Sequence, residues 1–134
     1  MKPYIIIPIL LLALLFFGKH LFPATDGGNM ENSYRSVSPQ TAMELMQTEQ
    51  NYIILDVRTV SEYGAGHIPG AICLPNELIG TQPPAELPDK AQLILVYCRS
   101  GNRSKQAAQK LFDMGYTNIV EFGGINSWPG EIVS

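Results

Sequence analysis

The sequence predicts an α/β domain, and three observations carry that prediction. Two short, continuous runs of β-favouring apolar residues, Tyr52 to Val57 and Leu93 to Tyr97, read as strands covered on both faces, the pattern of a parallel sheet. After the second run, Ala107, Ala108, Leu111, Phe112 and Met114 recur at helical spacing up to Gly115, a residue suited to a left-handed helix end. Between that run and the helix lie only Cys98-Arg99-Ser100-Gly101-Asn102-Arg103-Ser104, so a strand feeds a tight loop that feeds a helix.

The remaining elements follow in chain order. Tyr4 through Phe17 is apolar apart from Pro8, is preceded by Lys2 and ends at Gly18-Lys19-His20. That length fits the apolar region of a signal peptide better than a full bilayer span of about 20 residues, yet no good cleavage site follows closely. Residues 1–24 are therefore expected to be a cleaved signal or an N-terminal membrane anchor, with residues 4–22 in the membrane if uncleaved. Either form places the chain in the cell envelope, on the periplasmic or extracytoplasmic side. Residues 25–36, with Asp26-Gly27-Gly28-Asn29, read as a linker, at whose end Tyr34 to Val37 can form a short first strand.

Ser38-Pro39 is a helix cap followed by proline at the first helical position, with Ala42, Leu45 and Met46 on one face. Thr59-Val60-Ser61-Glu62 matches a capping box after the Tyr52–Val57 strand, so Glu62 is first of all a helix-start residue. Ala71 to Leu74 reads as a third strand, and Pro75-Asn76-Glu77-Leu78 as a turn or short helix. Gln82 to Ala91, with three prolines, is a surface connection; Asn118 to Glu121 is the last strand. Gly123-Gly124-Ile125-Asn126-Ser127-Trp128 then turns beside the carboxyl edge of the sheet, where Trp128 either walls a pocket or packs the final turn onto the core.

Composition narrows the function classes. The 134 residues allow one domain with an adequate core and contain no repeat. Net charge is −3, and of nine Lys and Arg residues Lys2 and Lys19 lie in the apolar leader, so the remainder carries seven cations against twelve carboxylates, or −5. Bulk electrostatics thus excludes a nucleic-acid binder. Four of those seven cations, Arg99, Arg103, Lys105 and Lys110, cluster in or just after the loop, a local positive funnel suited to a small anion. No metal or other cofactor is expected, because His20 and His67 are the only histidines and neither pairs with a cysteine at ligand spacing. Cys73 reads as a buried strand cysteine; a Cys73–Cys98 disulfide would silence the loop.

The loop itself points to thiolate chemistry. At the junction of strand and helix, unpaired backbone N–H groups turn inward and form an anion cradle with Cys98 at its floor. Those amides, the helix N-terminus, Arg99 and Arg103 all favour thiolate over thiol and make the sulfur a nucleophile near neutral pH. Substrate is then bound by Arg99, Ser100, Gly101, Asn102 and Arg103.

Several blocks in order resemble the rhodanese (sulfurtransferase) family over about Val37 to Glu131. They are Leu55-Asp56-Val57-Arg58 with Glu62, Gly66-His67-Ile68-Pro69-Gly70-Ala71, the CRSGNRS loop, Gly115-Tyr116, and Gly123-Gly124-Ile125 with Trp128-Pro129-Gly130. The resemblance implies a three-layer α/β/α domain over residues 37–134 with a central five-stranded parallel sheet, and a Cys98 that carries sulfane sulfur as a persulfide. It also implies a polar network under the loop, to which Asp56 and Arg58 belong, and Glu62, His67 and Ser104 are read as supporting residues with them. The expected partners are a small anionic donor such as thiosulfate and a cyanide or thiol acceptor, which includes a protein acceptor. Two rivals remain. One is phosphatase or arsenate reductase chemistry, which in relatives of this fold uses a loop one residue longer than the six residues from Cys98 to Arg103. The other is a noncatalytic or partner-dependent sulfur-delivery or binding module.

Overall fold

The computed structural model describes residues 34–134, and the leader and most of the linker lie outside the described residues. The chain order is β1 (Arg35–Ser36), α1 (Pro39–Thr48), β2 (Ile53–Asp56), α2 (Val60–Ala65), β3 (Ile72–Cys73), β4 (Ile94–Cys98), α3 (Asn102–Asp113) and β5 (Ile119–Gly124). Single 3₁₀ turns cover Asn76–Leu78 and Ile125–Ser127. The five strands form one parallel sheet in the order β1-β5-β4-β2-β3. Among the described residues, no helix is long and apolar enough to cross a membrane.

The sheet is buried on both faces, which is why its central strand reads as unbroken apolar sequence. All five residues of β4 are buried. Ile94, Val96 and Cys98 meet Ala107, Ala108 and Leu111 of α3 on one face. Leu95 and Tyr97 meet Ala42 of α1, with Val120 and Phe122, on the other. Each fully buried Leu or Ile of this kind contributes about 1.5–3 kcal/mol. Trp128 packs on Phe122 at 5.6 Å between ring centroids, so it closes the core and does not wall the loop.

Most predicted elements appear with shifts at their ends. Ser38 caps α1 by accepting from the Thr41 amide, and the capping box of Thr59 and Glu62 is complete in both directions. Gly115 has φ +101°, the left-handed stop its position required. The short first strand expected within Tyr34 to Val37, at the end of the 25–36 linker, is present as Arg35–Ser36, which pair with Val120 and Glu121 at the sheet edge. As an edge strand with only one neighbour, it needs little apolar sequence. The last strand is longer than Asn118 to Glu121, because pairing resumes beyond an irregularity that sets Gly124 opposite Cys98.

This topology places the site. From β2 the chain moves outward to β3, and from β4 it moves the other way to β5, so the order reverses between β2 and β4. The carboxyl ends of those two strands bound the crevice where open α/β sheets receive ligands. Asp56 ends β2 and Cys98 ends β4.

Candidate active site

Cys98 lies at the floor of the loop, 1 % exposed, with the backbone of the loop wrapped around its sulfur. The Gly101 amide donates to Sγ at 3.0 Å, and Ser104 Oγ lies 3.5 Å away. Burial pushes the thiol pKa up, but hydrogen bonds from the Ser104 hydroxyl and from the amides of Ser104, Gly101 and Ser100 outweigh it, and the net direction is down. Gly101 has φ +118°, and this conformation is what turns the chain from strand into helix while its N–H faces the sulfur.

The loop is held from behind by β5. The Arg99 carbonyl accepts from the Asn126 amide at 3.2 Å. It sits so close to Gly124 that a Cβ there would overlap the Arg99 carbonyl group, so the second glycine of the pair serves close approach of two backbones. Ser104, fully buried at the start of α3, reaches the Gly101 carbonyl at 3.0 Å, the Gly123 carbonyl at 3.3 Å and Glu121 Oε2 at 2.7 Å.

The cations divide into two kinds. Arg103 spans Glu62 with two hydrogen bonds, 2.8 and 3.0 Å, and this pairing holds the Glu62 carboxyl down at about 2. Lys110 donates to the Asn76 carbonyl at 2.9 Å and to its side-chain oxygen at 3.1 Å, so it fastens α3 to the turn after β3. Arg99 and Lys105 are exposed, and their side chains form no hydrogen bond or ion pair with any described residue. The thiol is therefore lowered chiefly by hydrogen bonds. Of the two arginines expected to help, Arg103 interacts with Cys98 electrostatically while bound to Glu62, and the Arg99 side chain forms no hydrogen bond with it. Asn102, also exposed, is the first residue of α3.

A second network lies on the other face of β4. Arg58 donates to both oxygens of Asp56, at 2.7 to 3.1 Å, and to the Gly66 carbonyl at 2.7 Å. Tyr97 donates to Asp56 Oδ2 at 2.6 Å and accepts from the Ile68 amide at 3.1 Å. Burial, and then the hydrogen bond to Asp56, push the Tyr97 phenol up and keep it a donor. His67 belongs to this side: its ring stacks on Tyr63 at 3.7 Å, Nδ1 donates to the Tyr63 carbonyl at 2.9 Å, and its backbone pairs with Val133.

Cys73 stands opposite Asp56, which stands opposite Tyr97, so Cys73 shares the Tyr97 face while Cys98 takes the other. Both cysteines are free. Cys73 is half-buried, not buried as expected, because β3 is an edge strand of two residues. Three residues escaped notice as site residues: Tyr97, Glu121 and Asn76. Tyr97 and Glu121 carried a signal, since a tyrosine or glutamate inside an apolar strand must find polar partners when buried, whereas Asn76, in a turn, carried none.

The comparisons agree with this geometry. The model of the Rhodanese-like domain family matches residues 38–131. The sulfurtransferase of Allochromatium vinosum is 38% identical over 92 residues, which span 68% of this chain and 83% of that protein. Thiosulfate sulfurtransferase GlpE of Pseudomonas entomophila is 32% identical over 75% of this chain and 93% of its own length. A rhodanese from E. coli solved with anions superposes with a TM-score of 0.57 at 32% identity, over 62% of this chain and 98% of that one. Such relatives support sulfur transfer as the general activity. With a family model covering most of the chain, a five-stranded parallel sheet and a cysteine cradled at the end of its central strand, the protein belongs to the rhodanese-like domain family.

Proposed function

We propose that the protein moves a sulfane sulfur from a small anionic donor such as thiosulfate to cyanide or a thiol, through a persulfide on Cys98. One observation carries this reading: the Cys98 sulfur is the convergence point of the loop amides, at 3.0 Å for Gly101. The Cys98 thiolate attacks the outer sulfur of thiosulfate, the donor S–S bond breaks, and sulfite leaves with its electron pair. The acceptor then attacks the outer sulfur and returns the thiolate. No general base is needed for a nucleophile that is already ionised and a leaving group that is a stable anion. Arg99 and Lys105, free of other partners among the described residues, are the cations that first meet the donor.

Loop length supports sulfur over phosphorus, since six residues from Cys98 to Arg103 leave a narrower cradle than a phosphoryl group with three terminal oxygens requires. That the E. coli rhodanese holds anions supports an anionic donor. The test is to incubate reduced protein with thiosulfate and weigh it intact. Gain of one sulfur mass, its loss on cyanide treatment and its absence in Cys98→Ser are the expected results. No adduct on folded, reduced protein would leave a binding module instead. The apolar segment at residues 4–22 supports action in the cell envelope, which fractionation with protease accessibility would establish.

A further inference from the structure

Glu121 is the least expected charge in the molecule, 2 % exposed inside an otherwise apolar strand. Its carboxylate accepts from Ser36 Oγ at 2.9 Å, from the Gly123 amide at 2.7 Å and from Ser104 Oγ at 2.7 Å. Ser104 is thus placed between Glu121 and Cys98, and it owns a single hydroxyl proton. Every other group it touches is an acceptor: the Gly101 carbonyl, the Gly123 carbonyl and, once ionised, Cys98 Sγ. The shortest of these contacts, to a carboxylate, is also the charge-assisted one.

We propose that Glu121 is a positioning residue for Cys98: by competing for the one proton of Ser104, it makes negative charge on the inner sulfur less favourable than charge one sulfur further out. The Ser104 hydroxyl lowers the thiol only while its proton turns to Sγ; while that proton faces Glu121, the lone pairs of Ser104 face Sγ instead. A thiol S–H satisfies them; a thiolate does not. Transfer from thiosulfate breaks the donor S–S bond, releases sulfite and leaves Cys98–S–S⁻, whose charge lies on the outer sulfur, about 2 Å further along. Glu121 thereby favours the persulfide over the bare thiolate. Among the described residues, the other charged or titratable groups around the pair include Arg103, bound to Glu62; Lys105, whose Nζ would lie 3.5 Å from a Cβ on Gly101; and Tyr34, whose phenol is pushed up by burial and then by the charge of Glu121. Asp56, Arg58 and Tyr97 form their own network on the opposite face of β4.

The experiment measures the rate of iodoacetamide addition to Cys98 against pH in the full chain, read by peptide mass so that Cys73 does not interfere. Glu121→Gln keeps the shape and the hydrogen-bonding reach but removes the charge, and is expected to move the inflection down by about one pH unit. Glu121→Asp keeps the charge but withdraws it from Ser104, and is expected to move it in the same direction. In a Ser104→Ala background the effect of Glu121→Gln should shrink several-fold. An unchanged or raised inflection, a shift with Gln but none with Asp, or an undiminished effect without Ser104 would each overturn the proposal. A second readout, resting on the sulfur-transfer reading, is persulfide occupancy at a fixed ratio of thiosulfate to sulfite, where Glu121→Gln should lower the equilibrium constant about tenfold. If wild-type protein takes up no sulfur, the transfer reading fails by itself, and the alkylation profiles still decide the role of Glu121.

Discussion

Two polar networks flank β4, and they differ in their balance of protons. On one face Asp56 is surrounded by donors, the Arg58 guanidinium and backbone and the Tyr97 hydroxyl, so every lone pair that matters has a proton aimed at it. On the other, Ser104 has one proton for Glu121, two carbonyls and the Cys98 sulfur. A saturated network fixes shape, whereas one short of protons responds to any change of charge at the sulfur. Tyr97 and Cys98 are neighbours in sequence, yet the pleat sends one into the scaffold and the other into the amide-lined loop.

The largest expected effect comes from breaking the saturated side. Asp56→Ala strips the partner from a buried guanidinium and from the Tyr97 hydroxyl, and should cost about 3–5 kcal/mol in urea denaturation. In the protein that still folds, the alkylation inflection of Cys98 should stay where it is; a shift as large as that of Glu121→Gln would erase the distinction between the two faces. A smaller effect is expected at Glu62, where the partly exposed pairing with Arg103 is worth about 1 kcal/mol or less at neutral pH. Its carboxyl is lowered from the ordinary 4.5 to about 2, so the folded state binds this proton more weakly than the unfolded chain. The stability it adds is present above about pH 4.5 and is lost as pH falls toward 2. Glu62→Gln should therefore be less stable than wild type at pH 7, with the gap closing over that window in acid titrations followed by circular dichroism.

Arg99→Ala should change least. Its side chain forms no hydrogen bond or ion pair with a described residue, so melting should stay within about 0.5 kcal/mol of wild type. The rate of sulfur uptake from thiosulfate should nonetheless fall, and the difference should shrink as salt screens the attraction.

Much of this was legible before the chain was folded. Local chemistry fixes caps and stops: Ser38, the Thr59–Glu62 box and the left-handed Gly115 depend on residues within a few positions, and each was read from its neighbours. The cysteine loop was legible for the same reason, because a strand end, three residues and a helix start place the amides almost without help from elsewhere. The partners of the cations were not. Arg103 and Glu62 are 41 positions apart, and Lys110 and Asn76 are 34 apart, distances over which sequence order says nothing about contact.

By itself, then, the sequence determined the α/β class, the strand that delivers Cys98 and the cradle around its sulfur, since all three follow from periodicity and backbone geometry within one short segment. Only the tertiary structure decided which charges remain free and which are tied down. It also set Glu121 behind Ser104, because parallel pairing of β4 with β5 joins segments that are distant along the chain, and burial then obliges each polar group to take whatever partner the sheet sets beside it.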